Sequence, residues 1–292
     1  MPARSHPGAG GASLFRVGVR YPILHRPGRD PAAAPGTGGH DATMPSLPQS
    51  PTPETVMRDV TTQIVRRAIK LGRRKGREIR ISKTAKGKGI PVTDLNPDTP
   101  EGRTRLDAFL AGGARHYTIS GLGAPEEPNA VNWRDLNLPF GRKMLLLVLV
   151  GISFFMRGSP LKNRLYRLMG VHIGKNTEIM QMAWLDHFRP ELIFIGDYTL
   201  LGAFTRATVH AYDGCGTFRY GLIEIGSHCT IGAGTGIGPI LMEDNVRTLP
   251  GTTLSPYLAR IRSGSVVGYM PPPVKLEGSA SVQQPQSDVR SD

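Results

Sequence analysis

The chain has 292 residues, a formal net charge of +13, 36 Gly and 25 Pro, and only two cysteines, Cys215 and Cys229. That length accommodates one or two domains with a substantial core. Two cysteines with no C-x-x-C pair exclude a disulfide scaffold and a paired-cysteine zinc site, and they suit a reducing, cytoplasmic setting.

Residues 1–55 are rich in Pro, Gly, Ala and Ser, lack periodicity and predict a disordered tail. The start shows no apolar run of a secretory signal, and Met44 offers an alternative initiation point. Residues 56–140 read as a basic helix followed by an irregular linker. Val56, Val60, Ile64, Ala68 and Leu71 recur about once per helical turn between Arg and Lys residues. Twelve Lys and Arg lie between Arg58 and Lys88, against Asp59 and Glu78, so the excess charge is a local arm. Without interleaved aromatics the arm offers no stacking platform for a nucleic acid. Docking to an anionic membrane surface and a solvated tail both suit it. A short helix is expected at 102–111.

Residues 141–170 predict two helices. Met144–Met156 reads MLLLVLVGISFFM between Arg142–Lys143 and Arg157. Thirteen residues are short of the ~20 needed to span a hydrocarbon core. Such a helix either lies in a membrane interface, with peripheral attachment at its inner face, or caps the core of the next domain. An amphipathic helix, SPLKNRLYRLMG, then ends at Gly170.

From Val171 the period changes to six. The sixes are IGKNTE (173–178), IGDYTL (195–200), LGAFTR (201–206), IGSHCT (225–230) and IGAGTG (231–236), then MEDNVR (242–247) and TLPGTT (248–253). An aliphatic residue opens nearly every six, and a Gly commonly follows. Short strands meeting at corners would each send one aliphatic residue into a narrow prism, with the Gly expected to make the turn. Three sixes make a triangular coil, and stacked coils satisfy each other's backbone groups. The expected fold is all-β, a parallel β-helix over 171–276 behind the helices, with a disordered tail at 277–292. LSPYLARIRSGS, in the last coil, shows no clean six.

IGDYTLLGAFTRATVHAYDG, IEIGSHCTIGAG, LPGTT and GSVVGYMPPPVK together resemble the hexapeptide-repeat acyltransferases that include maltose, galactoside and xenobiotic O-acetyltransferases. The resemblance covers about 160–275 and implies a left-handed β-helix, a homotrimer with active sites between subunits, and an acyl-CoA co-substrate, acetyl-CoA by default. It implies no metal. By position it makes His210 the general base that takes a proton from a sugar, glycan or small acceptor, a task suited to imidazole near neutral pH. The break at 211–222 would be a loop covering the acceptor. Asp186, Gln181 and Asp213 are the acceptor-binding candidates, since MQMAWLDHFRPEL lacks the Asn found in the sugar acetyltransferases. Ala233, Gly234 and Gly251 match positions along the pantetheine path, and Arg260, Arg262 and Lys275 are candidates for the CoA phosphates. Cys229 and Thr230 stand where the family carries Trp.

Other chemistries are weaker. Cys215 near His210 lacks a third group to orient a nucleophilic pair. His172, His187, His210 and His228 do not form the His-x4-His spacing of β-helical zinc carbonic anhydrases. Asp213 and Glu224 could orient His210, or stand in water. A non-catalytic trimeric scaffold displaying a basic membrane-binding arm is the alternative to an enzyme.

Overall fold

The structure is a computed structural model that describes residues 51–84, 88–123, 131–214, 216–254 and 260–268. Of the expected tails, 1–50 and 277–292 lie outside these residues, with Met44, Cys215 and Lys275, whereas Pro53–Thr55 of the first is already helical.

Helix α1, Pro53–Lys75, begins on Thr52, whose hydroxyl accepts from Thr55 N, with Pro53 in the first turn. It ends at Gly76, which takes a left-handed φ of 62°. Its apolar stripe, including Val56, Val60, Ile64, Ala68 and Leu71, is buried. The irregular linker expected after it is instead ordered structure. Strands Arg80–Ser82, Ile90–Pro91 and His116–Ser120 pair antiparallel, and α2, Pro100–Leu110, is capped by Thr99. The sequence hid these strands because they are short and separated by Pro and Gly turns.

Helices α3, Phe140–Phe155, and α4, Pro160–Met169, lead into the β-helix. The first coil has no coil below it, so its outward carbonyls need donors. Side chains of α4 supply them. Lys162 Nζ donates to Met180 O at 2.6 Å, Asn163 Nδ2 to Thr177 O at 2.5 Å and Tyr166 Oη to Ala183 O at 3.0 Å. Arg167 donates to Ile173 O and Gly174 O.

The left-handed parallel β-helix has three faces. Ile173, Ile195, Ile225, Met242 and Ile261 stack on the first, and Ile179, Leu201, Ile231, Thr248 and Val267 on the second. Leu185, Ala207, Ile237 and Leu254 stack on the third. Within each coil these residues are six apart, so the sequence period is the coil period. Arg260–Ile261 and Val266–Val267 continue the ladders, so the last coil keeps phase where no clean six was expected.

The turns differ from expectation. The left-handed residue is the fourth of each six, held by Asn176, Met182, Tyr198, Phe204, His228, Gly234, Asn245, Gly251 and Gly264. The Gly in second place serves close stacking instead. A Cβ on Gly196, Gly202, Gly226 or Gly232 would lie 2.5–2.7 Å from backbone atoms of the next coil. In fifth place, buried Thr205, Thr235 and Thr252 each donate to the carbonyl three residues back, at 2.6–2.7 Å.

Every departure from six falls on one edge, where the third face passes to the first. Residues 186–192 bulge there with a short turn at Pro190–Leu192, and 208–222 are inserted. The second insertion is no loose cover. His210–Tyr212 pairs with Phe218–Gly221, and the latter pairs with His116–Ser120, making one five-stranded antiparallel sheet with the strands before it.

Candidate active site

The two insertions carry the site. Leu185 pairs with Ala207, so Asp186 sits one coil below Thr208 and within reach of the strand that opens at His210. Asp186 N donates to Ala207 O at 2.9 Å and fixes the residue in register. The residue is 2% exposed. Oδ1 accepts from Phe188 N at 2.8 Å, and Oδ2 accepts from Val209 N at 2.9 Å. Oδ2 also lies 2.6 Å from Nδ1 of His210. A carboxylate already receiving two N–H donors is built to accept, so Nδ1 carries the proton and the Nε2 lone pair is the basic one.

Aromatic rings wall the imidazole. Phe188 is 4.6 Å from it centroid to centroid, and Phe218 is 5.7 Å away. Each ring is nearly sealed from solvent. The insertion that carries Asp186 therefore also supplies one wall, and the hairpin that carries His210 supplies the other.

His187 adjoins this pair. Its ring meets Trp184 edge-on at 5.6 Å, and its Nδ1 is buried with no hydrogen-bond partner in the structure. Burial pushes its pKa below the ordinary value; Asp186 opposes that shift, while His210 and Lys143 add to it. The sequence singles out His187 only as a metal-ligand candidate. Aligning the sixes would have shown that 186–188 lies under 208–210.

The other candidates are dispersed. Asp186 is turned into the fold, its oxygens accepting from Phe188 N and Val209 N and facing His210, with the side chain nearly sealed from solvent. Asp213 Oδ1 accepts from Thr217 N at 2.9 Å and closes the hairpin turn. Gln181 is exposed in the turn between the second and third faces, a different edge from His210. Glu224 pairs with Arg115 at 2.9 Å instead of orienting His210.

Ala233, Gly234 and Gly251 do come together, in one exposed strip on the edge between the second and third faces. Gly251 N donates to Ala233 O at 2.8 Å, and a Cβ on Gly251 would touch nothing within 4 Å. Arg260 and Arg262 lie elsewhere, the first on the strand of the first face and the second just after it, where the chain turns to the second face. Arg260 is ion-paired with Glu243, whose carboxyl is held below its ordinary pKa by the Ser263 N–H and by Arg260.

The four histidines weighed as metal ligands do not converge. His172 stacks on Phe194 at 4.2 Å, and His228 stacks on Tyr198 at 5.1 Å. Among the described residues no group of three His, Cys, Asp or Glu could hold a metal. Cys229 is buried, and burial raises its thiol pKa.

No protein-family model matches the chain. The chain is 31% identical over 136 residues to a Bacillus subtilis (strain 168) protein named "Putative acetyltransferase YvoF", covering 46% of this chain and 77% of that one. A solved maltose O-acetyltransferase from Clostridium difficile 630 is similar with a TM-score of 0.34 at 17% identity, over 43% of this chain and 80% of its own. A galactoside acetyltransferase solved in complex with coenzyme A gives 0.31 at 16%, over 38% and 69%.

Proposed function

The chain belongs to the hexapeptide-repeat acetyltransferases, and from that premise we propose that it moves an acetyl group from acetyl-CoA to a hydroxyl of a sugar, glycan or small acceptor, with His210 as general base. The observation that carries the reading is the 2.6 Å contact between Asp186 Oδ2 and His210 Nδ1. Asp186 holds the ring in the tautomer whose Nε2 accepts a proton. The acceptor hydroxyl gives its proton to Nε2 as its oxygen attacks the thioester carbonyl. The tetrahedral intermediate then expels the CoA thiolate, which takes that proton from the imidazolium. Phe188 and Phe218 keep the ring oriented and exclude water. His187, kept neutral by its burial, is placed to hydrogen-bond the acceptor or product.

In one chain, His210 and the strip of Ala233, Gly234 and Gly251 occupy different edges. They can serve one reaction only where the edge of one copy faces that of another. This supports a homotrimer with shared sites, and gives the small-residue strip the role of passing the extended pantetheine arm.

Thiol release from acetyl-CoA, measured against a panel of sugar acceptors, tests the proposal. Acceptor-dependent release is expected, and His210→Ala should lower kcat by about 10²–10⁴-fold without changing the oligomer. Release that survives His210→Ala would remove the base from His210. No release with any acceptor would favour a non-catalytic scaffold.

A further inference from the structure

Helix α3 has two unlike apolar sides. Leu146, Val150 and Ser153 face the protein and are buried. The opposite side exposes Met144, Leu145, Val148, Ile152 and Phe155, with Leu145, Val148 and Ile152 each more than half exposed and Phe155 76% exposed. Phe140 opens the same helix at 78% exposure. From Met144 to Phe155 the helix has no charged residue. Helix α4, packed against it, adds Leu161 at 59% and Leu168 at 72%.

Isolated exposed apolar residues need no explanation, but a continuous face of this size does. The charged side chains of the two helices and the link between them are all positive. Exposed Arg142 stands at one end of the face, Arg157 at the other, and exposed Arg164 lies on α4. Between Leu136 and Thr177 the chain has no Asp or Glu. A second copy docking face to face would bring these cations against one another. The face also offers no polar side chain to set a register with a protein partner.

We propose that the outward face of α3, extended by Leu161 and Leu168, is a docking surface for a bilayer with anionic headgroups. The helix lies in the interface with its apolar residues at the acyl boundary, and the arginines meet lipid phosphates. It does not cross. With 16 residues it is shorter than a span, and no helix among the described residues is long and apolar enough to traverse a membrane. The inference is independent of the acceptor and of the catalytic assignment.

The test is co-sedimentation of the full chain with phosphatidylcholine vesicles, with and without phosphatidylglycerol, at low and high salt. Binding to the anionic vesicles, weakened by salt, is expected. The triple variant Leu145→Glu, Val148→Glu, Ile152→Glu alters only exposed positions and should lower partitioning by about ten-fold or more, with the melting temperature and oligomeric state unchanged. Arg142→Glu with Arg157→Glu should remove much of the preference for anionic vesicles. Three results would overturn the proposal: a wild-type chain that stays in the supernatant, a triple variant that binds like wild type, or a triple variant that changes the oligomer. The last would assign the face to a second copy of the chain, and binding retained by the triple variant would assign attachment to the cations of α1.

Discussion

Gly202 and Gly264 look alike in the sequence, yet they meet opposite demands. At Gly202 a Cβ would lie 2.6 Å from Ala233 N, with backbone on every side that could yield. At Gly264, with φ of +73°, the space is open and only the backbone angle is unusual. Asn already fills the same place in the six at positions 176 and 245. Gly264→Asn should therefore shift stability by less than about 0.5 kcal/mol, whereas Gly202→Ala should cost about 1–3 kcal/mol, both read by denaturant unfolding. A comparable distinction holds at the site. In the proposed mechanism Asp186 positions His210 without touching the reacting atoms, so Asp186→Asn should lower kcat by about 10²–10⁴-fold with KM little changed. Because an amide can turn its NH2 toward Nδ1 and reverse the tautomer, the pH profile of kcat/KM should change with it. A profile and rate identical to wild type would show that the contact does not orient the base.

At the scale of elements, α4 replaces the missing coil with side chains. Lys162 is the costly member, a buried ammonium donating to Met156 O and Met180 O. Burial lowers its pKa from 10.5 to about 8. Between those values the unfolded chain binds the proton more tightly than the folded chain, so stability attributable to this residue rises with pH from about 8 to 10.5. Tyr117, pushed up to about 12 by burial, acts in the opposite sense only above pH 10. Melting temperatures from pH 8 to 10 should rise for wild type relative to Lys162→Met, which is less stable throughout but lacks that slope. The helix itself was legible from its spacing and from Gly170. Its function as a carbonyl cap was not, since that depends on which backbone groups the first coil leaves open. The sixes were equally legible, because each coil must send one aliphatic residue inward at every corner. The role of the second Gly was misread because a sequence shows smallness without showing whether space or φ demands it.

For the whole molecule, the largest departure from the sequence reading is the segment before Leu136. Its strand His116–Ser120 pairs with Phe218–Gly221, and Thr61 of α1 accepts from the Tyr220 hydroxyl at 3.1 Å inside the core. Such pairings link residues far apart in the sequence, which local periodicity cannot reveal. Deletion of residues 51–123 should therefore do more than remove a tail. The backbone of Phe218–Gly221 would lose its neighbour, and its amides should exchange faster by about ten-fold or more, while those of the coils keep their protection. His210 is paired to the same strand, so acetyl transfer should fall as well.

All irregular lengths of the β-helix sit on the edge that carries Asp186 and His210. A segment added or removed there returns the chain to the first face with its inward residues still in phase. The other two edges keep six residues at every passage among the described coils. The irregular lengths of the solenoid thus share one seam, and the proposed base sits on it. Exchanging 187–192 or 211–222 should therefore change the acceptor preference read by thiol release, while the inward residues of the coils keep their phase.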